Sequence, residues 1–551
     1  MGSYLDALDR QHLKTRLAEL LQIWGASAKM GRSPLYIWLP SLLVGGLILL
    51  SPMYLVFRSL NTDISTWQLL IRPRIFMVLL RTILLVVSVT VISSLIAIPL
   101  AWLQVRTDLR LKKLWSVLTL LPLVIPSYVG GFIFIVALGP KGMLQKLLSA
   151  IWGIERIPDI NGYLGAVVIL SLLTFPYILL TVKSGLRQLD PNLEESAQIL
   201  GDGRWRLFFL VTMPILRPSI VAGALLVALY TLSDFGAVSI LRYETFTWAI
   251  FNQYEGSLNR NFGALLSMIL IVISLFVVVS EGLSRGKGRY YRSGHGVSRH
   301  PKLISLGHWQ WPALLFSIAV TVLGLVLPIS VLLYWLIRGV LAGEPLLILL
   351  GPTINSITIS LAAAVVTVIV AIPVAVLSVR YISVLGIVIE KVTYIGFALP
   401  GIAVALGLVF FGANYMPLIY QTFVILIVGY VILFLPAAVG SIRASLLQVR
   451  PEIEQAGRSL GHSSFYVLKT LTIPLVKHGM FAGGAIVFLL TMKELPATLI
   501  LSPLGFDTLA TSIWSASSEA FFAQAAAPAL LLILVSAIPL ALITIREDFR
   551  S

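Results

Sequence analysis

The chain of 551 residues contains no cysteine and few charged side chains. The lack of cysteine excludes disulfides, thiolate metal ligands and thiol nucleophiles. Charged residues make up 12% of the chain, whereas hydrophobic residues make up 58%. A soluble domain carries about 25% charged residues. With so little polar surface, the chain is expected to lie in a lipid bilayer rather than to fold as a water-soluble globule.

A nucleotide-binding loop is also missing. The Gly-Lys-Gly triplet at 286–288 has Glu281 where a phosphate-binding loop needs glycine, and Gly288 where it needs serine or threonine. No other stretch fits this motif, so the chain is not expected to be an enzyme. Any ATP hydrolysis linked to it would occur on another chain, with ATP and magnesium bound there, and we expect no cofactor in this one.

Long apolar runs dominate what is present. A membrane-spanning helix needs about 20 apolar residues. Twelve stretches qualify, which predicts an all-α, polytopic membrane protein: 36–57, 79–103, 114–137, 164–182, 217–241, 263–283, 311–337, 355–379, 392–412, 418–440, 477–501 and 525–545.

The formal net charge of +16 comes from short basic clusters between the apolar runs. This distribution differs from the continuous stripe of a nucleic-acid-binding surface, and nucleic acid is not an expected partner. The clusters fit the rule that positive residues stay inside, if both termini are cytoplasmic. Arg58, Arg72 and Arg74 are exceptions, because they fall on the outer side.

Two segments lie outside the apolar runs. Residues 1–34 precede the first run, and leucines spaced as on a helix predict an amphipathic helix over 3–25, lying either on membrane lipid or on protein. Residues 284–310 are glycine-rich and basic, which predicts a cytoplasmic linker. The chain therefore divides into membrane domains at 35–283 and 311–551.

The two domains repeat one another. "AIPLAWLQVR" at 97–106 matches "AIPVAVLSVR" at 371–380, and "DPNLEESAQILG" at 190–201 matches "RPEIEQAGRSLG" at 450–461. The matches predict two parallel six-helix repeats, related by an axis along the membrane normal with a pathway between them. The alternative is a duplicated bundle without a pore.

A polar loop follows the fourth span of each repeat. The first loop, "EESAQILGDGRWRLFFLVTMP", begins near Pro191 and reaches Pro214, and the second repeats this layout with Pro451, Gly461 and Pro474. Proline is favoured in a first helical turn and glycine ends helices, so each loop is predicted to hold a short helix on the membrane surface.

Both loops resemble the EAA loop of ABC-importer permeases, which docks into a cleft of the ATPase subunit. The resemblance implies a coupling role for Glu194, Glu195, Ala197 and Gly201 in the first loop and for Glu454, Gln455, Ala456 and Gly461 in the second. The second loop has Gln455 where the motif has glutamate. The sequence leaves open whether the two loops couple equally.

The resemblance extends over most of residues 75–545, and is closest to the fused, two-domain permeases of ferric-iron importers. It rests also on "LPLVIPSYVGG", "SDFGAVSIL", "ALPGIAVALGL" and "KELPATLIL". It implies the type I ABC importer permease fold, a bacterial inner-membrane location, two ABC ATPase subunits and a periplasmic or lipid-tethered substrate-binding protein. Thiamine, phosphonate and polyamine permeases share parts of these phrases. An ATP-independent secondary transporter is a further alternative.

Polar residues inside the predicted spans mark a candidate pathway or gate. Asp234 and Glu494 occupy equivalent positions in the fifth and eleventh spans, and an ionisable group in a span normally faces a cavity or a partner. Lys493 could form an ion pair with a carboxylate of the other half and close an outer gate, or the carboxylates could pass a cation. The full candidate set is Ser127, Tyr128, Ser233, Asp234, Lys493, Glu494 and Pro496.

Ligand chemistry narrows the possible metals. The interior offers oxygen donors, because the chain has no cysteine and all its histidines lie at the N-terminus, in cytoplasmic segments or at a span's inner edge. Oxygen ligands suit Fe(III) better than zinc or copper. No stable metal site is expected. Pro122, Pro126, Pro400 and Pro496 should interrupt spans and free backbone groups, either at gates or as plain kinks.

Overall fold

The computed structural model describes residues 34–140, 142–153, 158–189, 203–256, 260–284, 303–344, 349–381 and 383–548. These residues are helical apart from short connections, and within them one isolated backbone bridge joins Thr107 to Ile304. The prediction of an all-α fold is confirmed. The predicted N-terminal helix at 3–25 and most of the linker lie outside the described residues.

The described part of the first half contains the helices α1 Leu35–Leu60, α2 Ile64–Gln68, α3 Pro73–Arg106, α4 Lys112–Leu118, α5 Ser127–Leu138, α6 Met143–Trp152, α7 Tyr163–Gln188, α8 Arg204–Leu207, α9 Met213–Ser233, α10 Gly236–Ile240, α11 Phe246–Gly256 and α12 Arg260–Ser284. Short 3-10 turns lie at Leu69–Ile71 and Leu121–Val124, and a π-helical turn lies at Phe208–Thr212.

The second half contains α13 Gln310–Thr321, α14 Leu327–Leu341, α15 Leu350–Arg380, α16 Val384–Ile395, α17 Gly401–Tyr415, α18 Phe423–Leu447, α19 Pro451–Ser459, α20 Ser464–Val467, α21 Ile473–Leu475, α22 Lys477–Met492, α23 Pro496–Leu501, α24 Leu509–Ser518 and α25 Phe522–Asp548. It has 3-10 turns at Gly307–Trp309 and Gly396–Ala398, and π-helical turns at Val322–Val326 and Leu468–Thr472.

The helices have the length and composition of membrane spans. Among the described residues 10 helical segments are long and apolar enough to cross a bilayer, and the number reaches 12 if two bent pairs each count as one span. Leucine and valine side chains at 84, 87, 91 and 95 form an exposed apolar stripe on α3. The stripe suits contact with lipid, and the count of 10 to 12 agrees with the prediction of about twelve spans.

Four predicted spans are broken rather than continuous: 114–137, 217–241, 392–412 and 477–501. Pro126 and Pro400 each precede a new helix with ψ near 150° and 137°, and proline disfavours a helical residue before it. The helices on either side of Pro400 meet at a bend of 107°. The breaks in 114–137, 392–412 and 477–501 lie at prolines that were expected to interrupt spans, whereas the break in 217–241 follows Ser233 and was not expected.

The repeat seen in the sequence is present in the backbone. The π-helical turns Phe208–Thr212 and Leu468–Thr472 occupy matched positions in the two halves. Each is followed by a proline, Pro214 or Pro474, and by a span that stops just before a short helix, α10 or α23. Matched irregularities at matched positions confirm two parallel copies of one fold.

The two halves interlock through their first helices. Helix α1 packs on α15 and α17 of the second half, where Ser51 Oγ donates to the carbonyl oxygen of Val404 at 3.1 Å. Helix α13 in turn packs against the first half through Ala313, in a cluster with Leu109 and Trp115. Beside it, Ile304 N donates to the Arg106 carbonyl at 2.8 Å. One apolar core consequently runs through both halves.

Candidate functional site

A cavity of about 180 Å³ lies where the broken spans of the two halves meet. The start of α5, the end of α9 and the break between α22 and α23 all contribute to its wall. The structure brings all seven predicted pathway residues together around it: Ser127, Tyr128, Ser233, Asp234, Lys493, Glu494 and Pro496.

Asp234 occupies the break between α9 and α10. Its backbone leaves the helix with ψ 125°, and its Oδ2 accepts hydrogen bonds from the N–H groups of Ala237 at 3.1 Å and Val238 at 3.3 Å. The hydroxyl of Thr247 donates to the Asp234 carbonyl at 2.6 Å. The buried carboxylate thus satisfies backbone donors at the start of the next helical turn.

Glu494 has the same role in the second half. Its Oε1 accepts from the N–H of Ala497 at 3.2 Å, and the Thr498 hydroxyl donates to its carbonyl at 2.5 Å. Each carboxylate lies at a helix break; the break beside Glu494 was expected from Pro496, whereas the break at Asp234 was not. A break at membrane depth is tolerated where the backbone lines a cavity or is buried in protein, and these two breaks do line one.

Lys493 connects the halves in a way the sequence did not predict. Its Nζ donates to the carbonyl oxygen of Leu123 at 2.9 Å and lies 6.0 Å from the ring centre of Tyr230. One of the two alternatives paired Lys493 with a carboxylate of the other half, but among the described residues Lys493 and Asp234 form no ion pair. The acceptor is available because the residue three positions after Leu123 is Pro126, which has no N–H to donate.

Two glycines allow the cavity walls to approach closely. A Cβ atom on Gly236 would lie 2.7 Å from Tyr128 Cβ, and one on Gly401 would lie 2.6 Å from Glu494 Oε1. No side chain fits at such distances without movement of its neighbours. The contacts bring the start of α5 against α10 and the start of α17 against Glu494.

Tyrosines add further oxygen atoms to the cavity. Tyr177 and Tyr230 line it with ring centres 5.9 Å apart, and Tyr128 Oη is buried without a hydrogen bond to any described residue. Our sequence interpretation missed Tyr177 and Tyr230. Tyr230 lies one helical turn before Asp234, which could have identified it, whereas nothing in the sequence singles out Tyr177.

The cavity wall combines apolar side chains with a smaller polar patch. The polar patch offers carboxylate, phenol and hydroxyl oxygens together with one ammonium group. In the part of the chain that the structure describes, no group of three or more histidine, aspartate or glutamate side chains is placed to hold a metal ion. Oxygen atoms of this kind can contact a cation transiently.

The second polar loop forms the helix that its sequence predicts. Pro451 begins α19, and Gly461 follows its end with φ +86°, a conformation that glycine adopts readily. Gln455 and Ala456 are exposed on the outer face of α19, whereas Glu454 is buried. Gln455 and Ala456 are therefore available to a docking partner.

Glu454 does not lie on that exposed face, contrary to our grouping of it with the docking residues. Its carboxylate pairs with the Arg380 guanidinium, with Nε 3.0 Å from both carboxylate oxygens. Arg380 was also missed, although it closes a phrase that the two repeats share. Glu194, Glu195, Ala197 and Gly201 of the first loop lie outside the described residues.

Comparisons with known proteins point to one family. Residues 93–284 match the family model described as "Binding-protein-dependent transport system inner membrane component". The Fe(3+)-transport system permease protein FbpB 2 of Haemophilus influenzae is 37% identical over 518 residues, which cover 93% of this chain and 98% of that protein.

Shorter relatives match about a third to a half of the chain. The molybdenum transport system permease protein ModB of Escherichia coli is 31% identical over 216 residues, covering 37% of this chain and 93% of that protein. ModB of Mycobacterium bovis is 27% identical over 254 residues, covering 45% and 94%. Less than half of this chain therefore matches nearly the whole of each ModB protein, whereas nearly the whole chain matches FbpB 2. This pattern fits a chain made of two fused permease domains.

Proposed function

Because the chain belongs to the family of binding-protein-dependent transport system inner membrane components, the permeases of ABC importers, we propose that it carries ferric iron across the cytoplasmic membrane. The similar protein of Haemophilus influenzae is named for Fe(3+) transport. The observation that carries the proposal is the cavity between the halves, whose polar side chains are oxygen donors apart from Lys493.

The charge of the cavity favours a cation as the substrate. Asp234 and Glu494 place two carboxylates in the wall against the single ammonium of Lys493. An anionic phosphonate would meet an excess of negative charge in a medium where charges are weakly screened. Thiamine and polyamines are cations as well, and distinguishing them from iron requires a direct comparison.

The transport cycle proposed for this chain uses its two halves as moving parts. A periplasmic or lipid-tethered binding protein delivers iron to the outer face, and two ATPase subunits, which bind ATP and magnesium, dock on the two cytoplasmic loops. Closure of the ATPases rocks the halves about the cavity. In this arrangement both termini and the 284–310 linker are cytoplasmic, and 35–283 and 311–551 are the two permease domains.

Competition uptake tests the substrate. Cells lacking this chain, and the same cells carrying it on a plasmid, are supplied with radioactive Fe(III) alone or with excess thiamine or spermidine. We expect the plasmid to restore iron uptake and neither organic cation to compete. An Asp234→Asn variant should take up iron more slowly, because it removes one of the two carboxylates at the cavity. Normal iron uptake in cells without the chain would overturn the proposal.

The coupling role of the first loop has its own test. Glu195→Lys should leave the chain inserted in the membrane but abolish ATP-dependent uptake into vesicles, because it reverses the charge at the proposed docking position. Gln455→Lys is the matched change in the second loop, where the exposed side chain is neutral already. We expect a smaller defect from Gln455→Lys. Full transport by the Glu195→Lys variant would refute the coupling role.

A further inference from the structure

We propose that Arg380 is a positioning residue that joins the second coupling helix, α19, to the membrane helix α15, so that the two move together. The proposal rests on the proposed function, since it concerns how docking of an ATPase would reach the membrane domain. It assigns a role to a side chain at the end of a span, away from the exposed docking face.

The guanidinium of Arg380 holds three segments at one point. Its Nε lies 3.0 Å from both carboxylate oxygens of Glu454 in α19. Its Nη2 donates to the carbonyl oxygens of Leu446 at 3.4 Å and Val449 at 3.0 Å, at the end of α18. Terminal helix carbonyls lack partners within their own helix, so Arg380 both caps α18 and pairs with α19.

A fourth segment is attached through the carboxylate. Thr472 Oγ1 donates to Glu454 Oε1 at 3.1 Å, and Thr472 ends the π-helical turn that leads towards α22 and the cavity. Thr472 is itself buried. The network therefore runs from the coupling helix into the chain that carries Lys493 and Glu494.

Both charges are withdrawn from water. The side chains of Arg380 and Glu454 are 9% and 6% exposed, and the space beside them amounts to about 10 Å³. Removing one partner of such a pair leaves an uncompensated buried charge, whereas replacing both by apolar residues is often tolerated. A fork of donors in fixed geometry also specifies one orientation of α19 rather than merely holding it nearby.

The two faces of α19 thus have separate tasks. Gln455 and Ala456 face outwards, whereas Glu454 and Gly457 face the protein. A movement of the docked ATPase acts on the outer face and reaches the membrane helices through the contacts of the inner face.

The first half has a matching arginine. Arg106 ends α3 as Arg380 ends α15, and Arg106 is buried too.

The test measures coupling in the complete complex reconstituted in liposomes with its ATPase subunits and binding protein. The variant is Glu454→Gln, which keeps the side-chain shape and removes the charge. The matched control is Glu390→Gln, the same change in an Arg–Glu pair outside α19, Arg443–Glu390, whose side chains are 38% and 21% exposed. Two rates are recorded, ATP hydrolysis with and without the binding protein, and uptake of Fe(III).

We expect the Glu454→Gln complex to assemble and hydrolyse ATP, but to use about tenfold more ATP per ion taken up, the order of change expected from losing a charge-assisted hydrogen bond. Stimulation of hydrolysis by the binding protein should fall as well. Glu390→Gln should behave as the parent, because exposed ion pairs contribute little. Arg380→Lys keeps the charge without the fork and should give an intermediate ratio.

Several results would overturn the inference. An unchanged ratio in Glu454→Gln would do so, and so would a proportional fall in both rates, which a purely structural pair produces. If that variant does not assemble, the double replacement Arg380→Met with Glu454→Met removes the pair without a buried charge, and normal coupling in it refutes the role. Failure of the parent to take up iron rejects the substrate instead, and binding-protein stimulation then still tests the junction.

Discussion

Replacing Lys493 with methionine should loosen the contact between the two halves at the cavity. Methionine has a similar length and fills a similar volume, but it cannot donate to the Leu123 carbonyl that Lys493 reaches at 2.9 Å. Leu123 is buried, so its carbonyl would lose its partner without gaining bulk water. The closed arrangement of the cavity loses stability, while an arrangement with the halves apart is unaffected.

The size of the effect follows from the charge on the donor. Neutral hydrogen bonds between membrane helices contribute about 0.6 kcal/mol on average. Bonds to a charged group contribute about 1.5–3 kcal/mol, and this range applies to an ammonium donor. Taking about 2 kcal/mol, the equilibrium between open and closed cavity shifts about thirtyfold. A shift of this size is far larger than the scatter of a labelling experiment.

Cysteine labelling measures the shift directly, because the natural chain contains no cysteine. A single thiol introduced by Ser233→Cys lines the cavity, and its reaction with a water-soluble maleimide follows the open fraction. Lys493→Met should raise the labelling rate about thirtyfold, and Lys493→Arg should stay near the parent. Lys477→Met, at an exposed position, is the matched control. Labelling of the Lys493→Met variant within about twofold of the parent would show that the Lys493–Leu123 hydrogen bond does not hold the cavity closed.

Two further predictions concern stability, measured by thermal unfolding in detergent. Gly236→Ala should lower the free energy of unfolding by about 1–3 kcal/mol, because its Cβ would lie 2.7 Å from Tyr128 Cβ. Gly351→Ala, with nothing within 4 Å, should not destabilise, and equal losses from both variants would contradict the packing argument. Glu244→Gln should cost less than about 1 kcal/mol, because its partners Arg74 and Arg81 are 72% and 42% exposed. A larger loss would show that these surface ion pairs matter more than their exposure indicates.

The sequence predicted the features that depend on local composition. Runs of about 20 apolar residues identify spans wherever they occur, and Pro451 and Gly461 bound α19 as expected. Because the two halves repeat one another, a span or helix predicted in one half was also predicted at the matched position of the other. The sequence also indicated where the cavity lies, because Asp234 and Glu494 are ionisable groups in apolar runs and such groups need a polar environment.

The rest depends on contacts between distant segments. The partner of Lys493 is a backbone carbonyl, and a sequence records no sign that the carbonyl of Leu123 lacks its own N–H donor except the proline three residues later. The sequence also did not show which way the Glu454 side chain points, since Glu454 and Gln455 are neighbours and only the packing of α19 decides which one faces inwards. Charge and spacing predicted a gate and a docking helix, but not the hydrogen bonds that fix their positions.

The interlocking of α1 with the second half also sets an order for assembly. Ser51 and Val404, which are hydrogen-bonded in the finished protein, lie 353 residues apart in the chain. At synthesis rates of about 5–20 residues per second, α1 waits in the membrane for roughly 20–70 s before its partner helix exists. The first half is therefore made without one of its packing neighbours and receives α13 only later. Neither half can complete its packing by the time the ribosome reaches the linker, so the final packing of both halves forms only after the second half is made.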